Sequence, residues 1–112
     1  MNREEMMKQI RADAFPANNG TVLTCINLLN RHGFSPLEQV RIGVESWGVD
    51  KGSFLDGIHF LKQSGYIETR TIDGKVPGAD LADHDYHEIE VRASAKGIRL
   101  LAGTIDDECV KV

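Results

Sequence analysis

Six side chains of metal-binding type crowd the stretch 80–88: Asp80, Asp83, His84, Asp85, His87 and Glu88. Carboxylate oxygens and imidazole nitrogens together suit a divalent cation. Their spacing argues otherwise. No calcium-loop order is present, and the two histidines lie three apart in a segment without a helical pattern. Asp also recurs in loops because its side chain bonds nearby backbone. The stretch reads as a solvated acidic loop, and no metal or other cofactor is expected. Cys25 and Cys109 have neither metal-ligand spacing nor the pattern of a secreted disulfide framework, so they read as free thiols. A redox bridge between them would need the two sulfurs to be brought together by the fold. Catalysis finds little footing: there is no glycine-rich phosphate loop, no zinc-protease or hydrolase signature, and no Ser or Cys with a base close in sequence. An enzyme is not expected.

The elements that would position any site are clearest between residues 35 and 65. Ser35, Pro36 and Glu38 resemble a capping box with proline at the first helical position. Leu37, Val40, Ile42 and Val44 give the following helix an apolar side, which Trp47 and Val49 close around Gly48. Asp50 or Ser53 then caps a second helix over 51–64. Phe54, Leu55, Ile58 and Leu61 form its buried stripe, and Gly65 stops it. Tyr66, Ile67, Thr69, Thr71 and Ile72 predict a strand, and Ile89 and Val91, alternating with charged residues, predict another over 88–92. The intervening DGKVPGADLADHDYH is too long for a tight hairpin, so it is expected as an extended, mobile loop with the least ordered tip. Ser94 caps a last helix carrying Ile98, Leu100, Leu101 and Ile105, and Val22, Leu23, Ile26, Leu28 and Leu29 predict one over 21–31. His32, beside Gly33, suits the negative end of that helix.

With these elements in order, the chain resembles the winged helix-turn-helix superfamily over residues 21–105. FLDGIHFLKQSGYIETR is similar to the second helix and first wing strand of many bacterial members. VRASAKGIRLLAG is similar to their second wing strand and final helix, with Ser94 where many have Thr. The overall cast is similar to small winged-helix proteins of bacterial genomes and prophages. The fold class expected is α+β: a three-helix core, a two-stranded β-wing, a C-terminal helix and an N-terminal helix. The domain limits expected are an amphipathic helix over 1–14, with Met6, Met7 and Ile10 as a packing stripe, the winged-helix domain over 15–106, and a tail over 107–112.

The resemblance implies double-stranded DNA as partner, with helix 51–64 in the major groove and the wing on adjacent backbone. Lys51, Ser53 and Asp56 would face bases, His59, Lys62 and Gln63 would lie toward phosphates, Arg70 and Lys75 would be the wing's cations, and Arg41 would reach phosphate from the preceding helix. The plainer reading is that these side chains are simply the solvated faces of a small domain. Charge opposes the DNA reading, because phosphate affinity comes from Lys and Arg and this chain has a formal net charge of −4. Two functions follow: a DNA-binding transcriptional regulator or accessory factor, acting as a homodimer, or a protein-interaction module on the same scaffold. The 112 residues suit one domain. No apolar run reaches a membrane span and 1–14 is no secretory leader, so a cytoplasmic protein without membrane contact is expected.

Overall fold

The computed structural model describes residues 2–112, without the side chains of 7–13. Its first element, α1 (Arg3–Leu29), begins where the Asn2 side chain accepts the Glu5 N–H at 2.8 Å, with Glu4 and Glu5 at the positive end of the helix. Asn19, Val22, Leu23, Cys25 and Ile26 form its buried stripe. One helix thus replaces the two expected over 1–14 and 21–31, and it runs unbroken across the boundary expected at 14/15. Pro16 lies inside it. A proline there removes one backbone donor, and tertiary contacts hold the helix through that point: Phe15 packs edge-on against Phe60 with ring centroids 5.3 Å apart, and Lys111 N–H donates to the Pro16 carbonyl at 2.9 Å. Of the expected Met6, Met7 and Ile10 stripe, Met6 is exposed and the other two lie outside the described side chains.

A short strand that the sequence did not announce, β1 (Ser35–Pro36), follows a turn braced by Asn30, whose side chain bonds the His32 N–H and the Phe34 carbonyl. Ser35 is buried in this strand and does not cap α2 (Leu37–Glu45). Pro36 occupies the cap position without a side-chain bond, so the capping box does not form. Leu37, Val40 and Val44 share the buried stripe of α2, whereas Ile42 falls on the opposite side and is 56% exposed. Trp47, expected to close this segment, is 54% exposed. Gly48, with φ +90°, turns the chain, and Val49 is buried behind it.

Asp50 caps α3 (Lys51–Gln63), accepting the Ser53 N–H at 2.7 Å; Phe54, Gly57, Ile58 and Leu61 face the core and Leu55 is half-buried. Gly65, with φ +82°, ends the helix as expected. The antiparallel sheet has the order β1-β3-β2, with β2 (Ile67–Thr71) and β3 (Ile89–Ala93) in a register that sets Glu68 opposite Arg92 and Arg70 opposite Glu90. It has three strands, because β1 joins β3, in place of the two expected. Ser94 caps α4 (Ala95–Leu101), accepting the Gly97 N–H at 3.1 Å; Leu100 is buried, Ile98 is exposed and Ile105 lies beyond the helix. The described residues form an α+β domain of four α-helices, one 3-10 turn and a small sheet.

Two segments fold more closely than expected. The loop between β2 and β3 turns back on β2, with Thr71 N–H bonded to the Val76 carbonyl at 2.9 Å and Gly78 N–H to that of Thr69 at 2.8 Å. It then buries Ala79 and Tyr86 before the 3-10 turn Tyr86–Glu88. Its Gly and Asp residues make defined turns and its apolar residues anchor them. The chain after α4 is no free tail either. Val110 is buried, the Asn19 amide donates to the Cys109 carbonyl at 2.9 Å, and a Cβ at Gly20 would lie 1.5 Å from the Lys111 carbonyl oxygen. No helix among the described residues is long and apolar enough to cross a membrane.

Candidate functional site

Three of the six α3 side chains expected at a nucleic-acid surface point outward together. Gly52, Asp56, His59 and Gln63 recur at helical spacing and are all exposed, opposite the stripe of Phe54, Ile58 and Leu61. On one flank lies α1, across a groove of about 530 Å³ lined by Ala14, Phe15, Asn18, Gly48, Ser53 and Asp56 among others. Ser53 faces that groove, half-buried. On the other flank lies the β2–β3 loop. The Lys51 ammonium sits 5.1 Å from the Tyr86 ring centroid, and that of Lys62 donates to Asp80 Oδ2 at 3.0 Å and to the Gly78 carbonyl at 3.3 Å. Both lysines thus turn from the outward stripe toward the loop. The stripe itself carries Asp56 and no Lys or Arg.

Arg41, on α2, donates to Glu45 Oε2 at 3.0 Å, while its Nε is buried without a hydrogen-bond partner. It is not part of the loop cluster. Arg70 and Lys75 converge on one carboxylate oxygen, Glu90 Oε1, at 2.5 and 2.8 Å. Burial acts to raise the Glu90 pKa, but donation from Lys75 and Arg70 outweighs it and holds the carboxyl below its usual range. Beside them Arg92 Nε donates to Glu68 Oε2 at 2.5 Å. The guanidinium carbons of Arg70 and Arg92 lie 3.8 and 4.7 Å from the Phe34 ring centroid. Lys62, Arg70, Lys75 and Arg92 all line one open groove of about 530 Å³.

Arg92 and Phe34 are absent from the sequence expectation. Arg92 had a signal: in strands, residues two apart share a face, so Glu68 with Arg70 and Glu90 with Arg92 imply a charged outer face behind Ile67, Thr69, Ile89 and Val91. Phe34 had none, because its place depends on β1.

The acidic loop spends its side chains on turns and ion pairs. Asp80 accepts the Ala82 N–H and the Lys62 ammonium, which hold its pKa low, and Asp85 is held low by the His87 N–H and ring. His84 Nδ1 lies 3.1 Å from Glu88, and His87 Nε2 lies 3.5 Å from Glu38. Among the described residues no group of three or more His, Cys, Asp or Glu side chains could hold a metal ion. Cys25 is buried, which raises its thiol pKa, and both it and Cys109 are free. Comparison with known protein families, curated proteins and solved structures finds no match to this chain.

Proposed function

We propose that this chain is a winged-helix DNA-binding protein, a transcriptional regulator or accessory factor acting as a homodimer, with α3 entering the major groove. The observation that carries this reading is the uncovered stripe of Asp56, His59 and Gln63 beside a loop whose base gathers Lys62, Arg70 and Lys75. His59 and Gln63 are the side chains suited to base edges, whereas Asp56 can only accept, from cytosine or adenine amino groups. Lys51 and Ser53 support the helix from its flanks, and Arg41 stays with Glu45. Because the cations at the loop base already have carboxylate partners, phosphate competes with Glu90 and Asp80 for them, and affinity is modest and salt-sensitive.

Fluorescence anisotropy on a mixed-sequence duplex, at low and moderate salt, tests this reading. The protein should bind at low salt, and the His59→Ala/Gln63→Ala variant, altered only on the exposed stripe, should bind roughly tenfold more weakly. A wild-type protein that shows no duplex binding at low salt overturns the proposal. A second reading, a protein-interaction module, is favoured by Ile42 and Trp47, which expose large apolar surface on α2 and the turn after it.

A further inference from the structure

The outer face of the sheet holds an arrangement that internal ion pairing does not exhaust. Arg70 and Arg92 each use Nε to reach a carboxylate, Glu90 and Glu68 respectively. Among the described residues, neither guanidinium donates a hydrogen bond to any residue beyond that one carboxylate. Each guanidinium therefore keeps its outer edge, the edge that matches two oxygens of an oxyanion, free to donate. Contact with the Phe34 ring restrains both guanidinium groups, which reduces the entropy lost when they grip a ligand. Lys62 and Lys75 add ammonium groups to the same groove.

The distribution of charge in depth points the same way. Four cations line the groove and Glu68 is the one carboxylate among the lining residues. Glu90 is only 6% exposed, behind Arg70 and Lys75, so it orients these cations while presenting little negative surface itself. Asp80 steadies Lys62 without lining the groove. A ligand approaching from solvent meets donors first. Lysines alone would accept any anion, but two guanidinium edges held over one ring select a group with several oxygens around one centre, and the groove's volume exceeds a single small ion.

We infer that the groove between Lys62, Arg70, Lys75 and Arg92 is a phosphate-recognition site on the outer face of the sheet, distinct from the outward stripe of α3. The shared chemistry is a phosphate oxyanion, supplied either by a nucleic-acid backbone or by a free phosphorylated ligand. This goes beyond the duplex reading, since a free ligand would satisfy the groove without any DNA.

Titration calorimetry with inorganic pyrophosphate and anisotropy with the mixed duplex, both on the full chain, separate the possibilities. Arg92→Gln and Arg92→Lys are the informative variants: Arg92 is half-exposed and its partner Glu68 is exposed, so neither change strands a buried charge. Lys75→Gln serves as an independent variant should position 92 fail to fold. Pyrophosphate should bind the wild type, and Arg92→Gln should weaken it roughly tenfold. Arg92→Lys should recover only part of the loss, because the charge returns without the fork. Glu108→Gln, exposed and outside the groove, should leave pyrophosphate binding unchanged.

If the occupant is a nucleic-acid backbone, pyrophosphate competes with duplex, and Arg92→Gln lowers the salt slope of duplex binding by about 0.9. Pyrophosphate binding without any duplex binding identifies a free phosphorylated ligand; the groove then stands and the DNA reading falls. Duplex binding that depends on His59 and Gln63 but ignores Arg92 and Lys75, with no uptake of pyrophosphate, overturns the groove and confines the DNA reading to the α3 stripe. Absence of both kinds of binding sinks both.

Discussion

Tyr66 shows how one buried hydroxyl links distant parts of the chain. It donates to the Asp107 carboxylate, and that bond, aided by burial, pushes its pKa up to about 12. Because the folded protein holds this proton more tightly than an ordinary tyrosine with a pKa of about 10, the stabilisation is complete below pH 10 and is lost as pH rises toward 12. The stability advantage of wild type over Tyr66→Phe should therefore shrink by roughly 1–3 kcal/mol between pH 10 and pH 12. Thermal melts across that range give the result, and parallel decline of both proteins would exclude the linkage. At this scale much was legible. Asp50, Gly65 and Ser94 do what their residue types imply, because a cap needs only its own neighbours. Ser35 departs from its expected role because a cap and a short strand compete for the same residue, and pairing with Val91 wins. Lys51 and Lys62 were placed on the right helix, yet their ammonium groups bend toward Tyr86 and Asp80, partners no helical spacing could name.

Among the elements, α1 and the segment after α4 depend on each other. Gly20 has no room for a Cβ because the Lys111 carbonyl lies against it, while Val110 is buried beside the Asn19 contact. Ala at an ordinary helix position gains about 0.5–1 kcal/mol over Gly, so Gly20→Ala carries opposite signs in two backgrounds. In the full chain it should destabilise and displace the segment; in a chain ending at Cys109 it should be neutral or stabilising. A urea-denaturation cycle over the four proteins measures the sign change, and equal effects in both backgrounds would refute the coupling. This contact was invisible in the sequence for a plain reason: periodicity reports which face of a helix is apolar, not which distant backbone covers a glycine on it. The loop between β2 and β3 is a parallel case. Its Gly, Asp and Pro residues were legible as turns, but Ala79 and Tyr86, which anchor those turns in the core, carry no local signature.

For the molecule as a whole, the formal charge of −4 opposes the approach of a second copy. Like-charged chains repel at low ionic strength and are screened as salt rises. A homodimer formed through Ile42 and Trp47 would bury apolar surface, so its association should strengthen with salt while duplex binding weakens. Sedimentation equilibrium at two salt concentrations, with Ile42→Ser/Trp47→Ser as control, should show dimer favoured at high salt and lost in the variant. A wild type that stays monomeric at both would remove this surface from consideration. The order of helices and the main strands was readable because each carries its own period; the relative placement of charged side chains was not, because it arises only once β1, the loop and the sheet register are in place. The clamp on α1 bears also on how the chain reaches this state. The Asn19 contact with Cys109 spans 90 residues of sequence. The helix α1 is therefore finished by a segment synthesised much later, and its Gly20 face stays open to water, and to other chains, until that segment arrives.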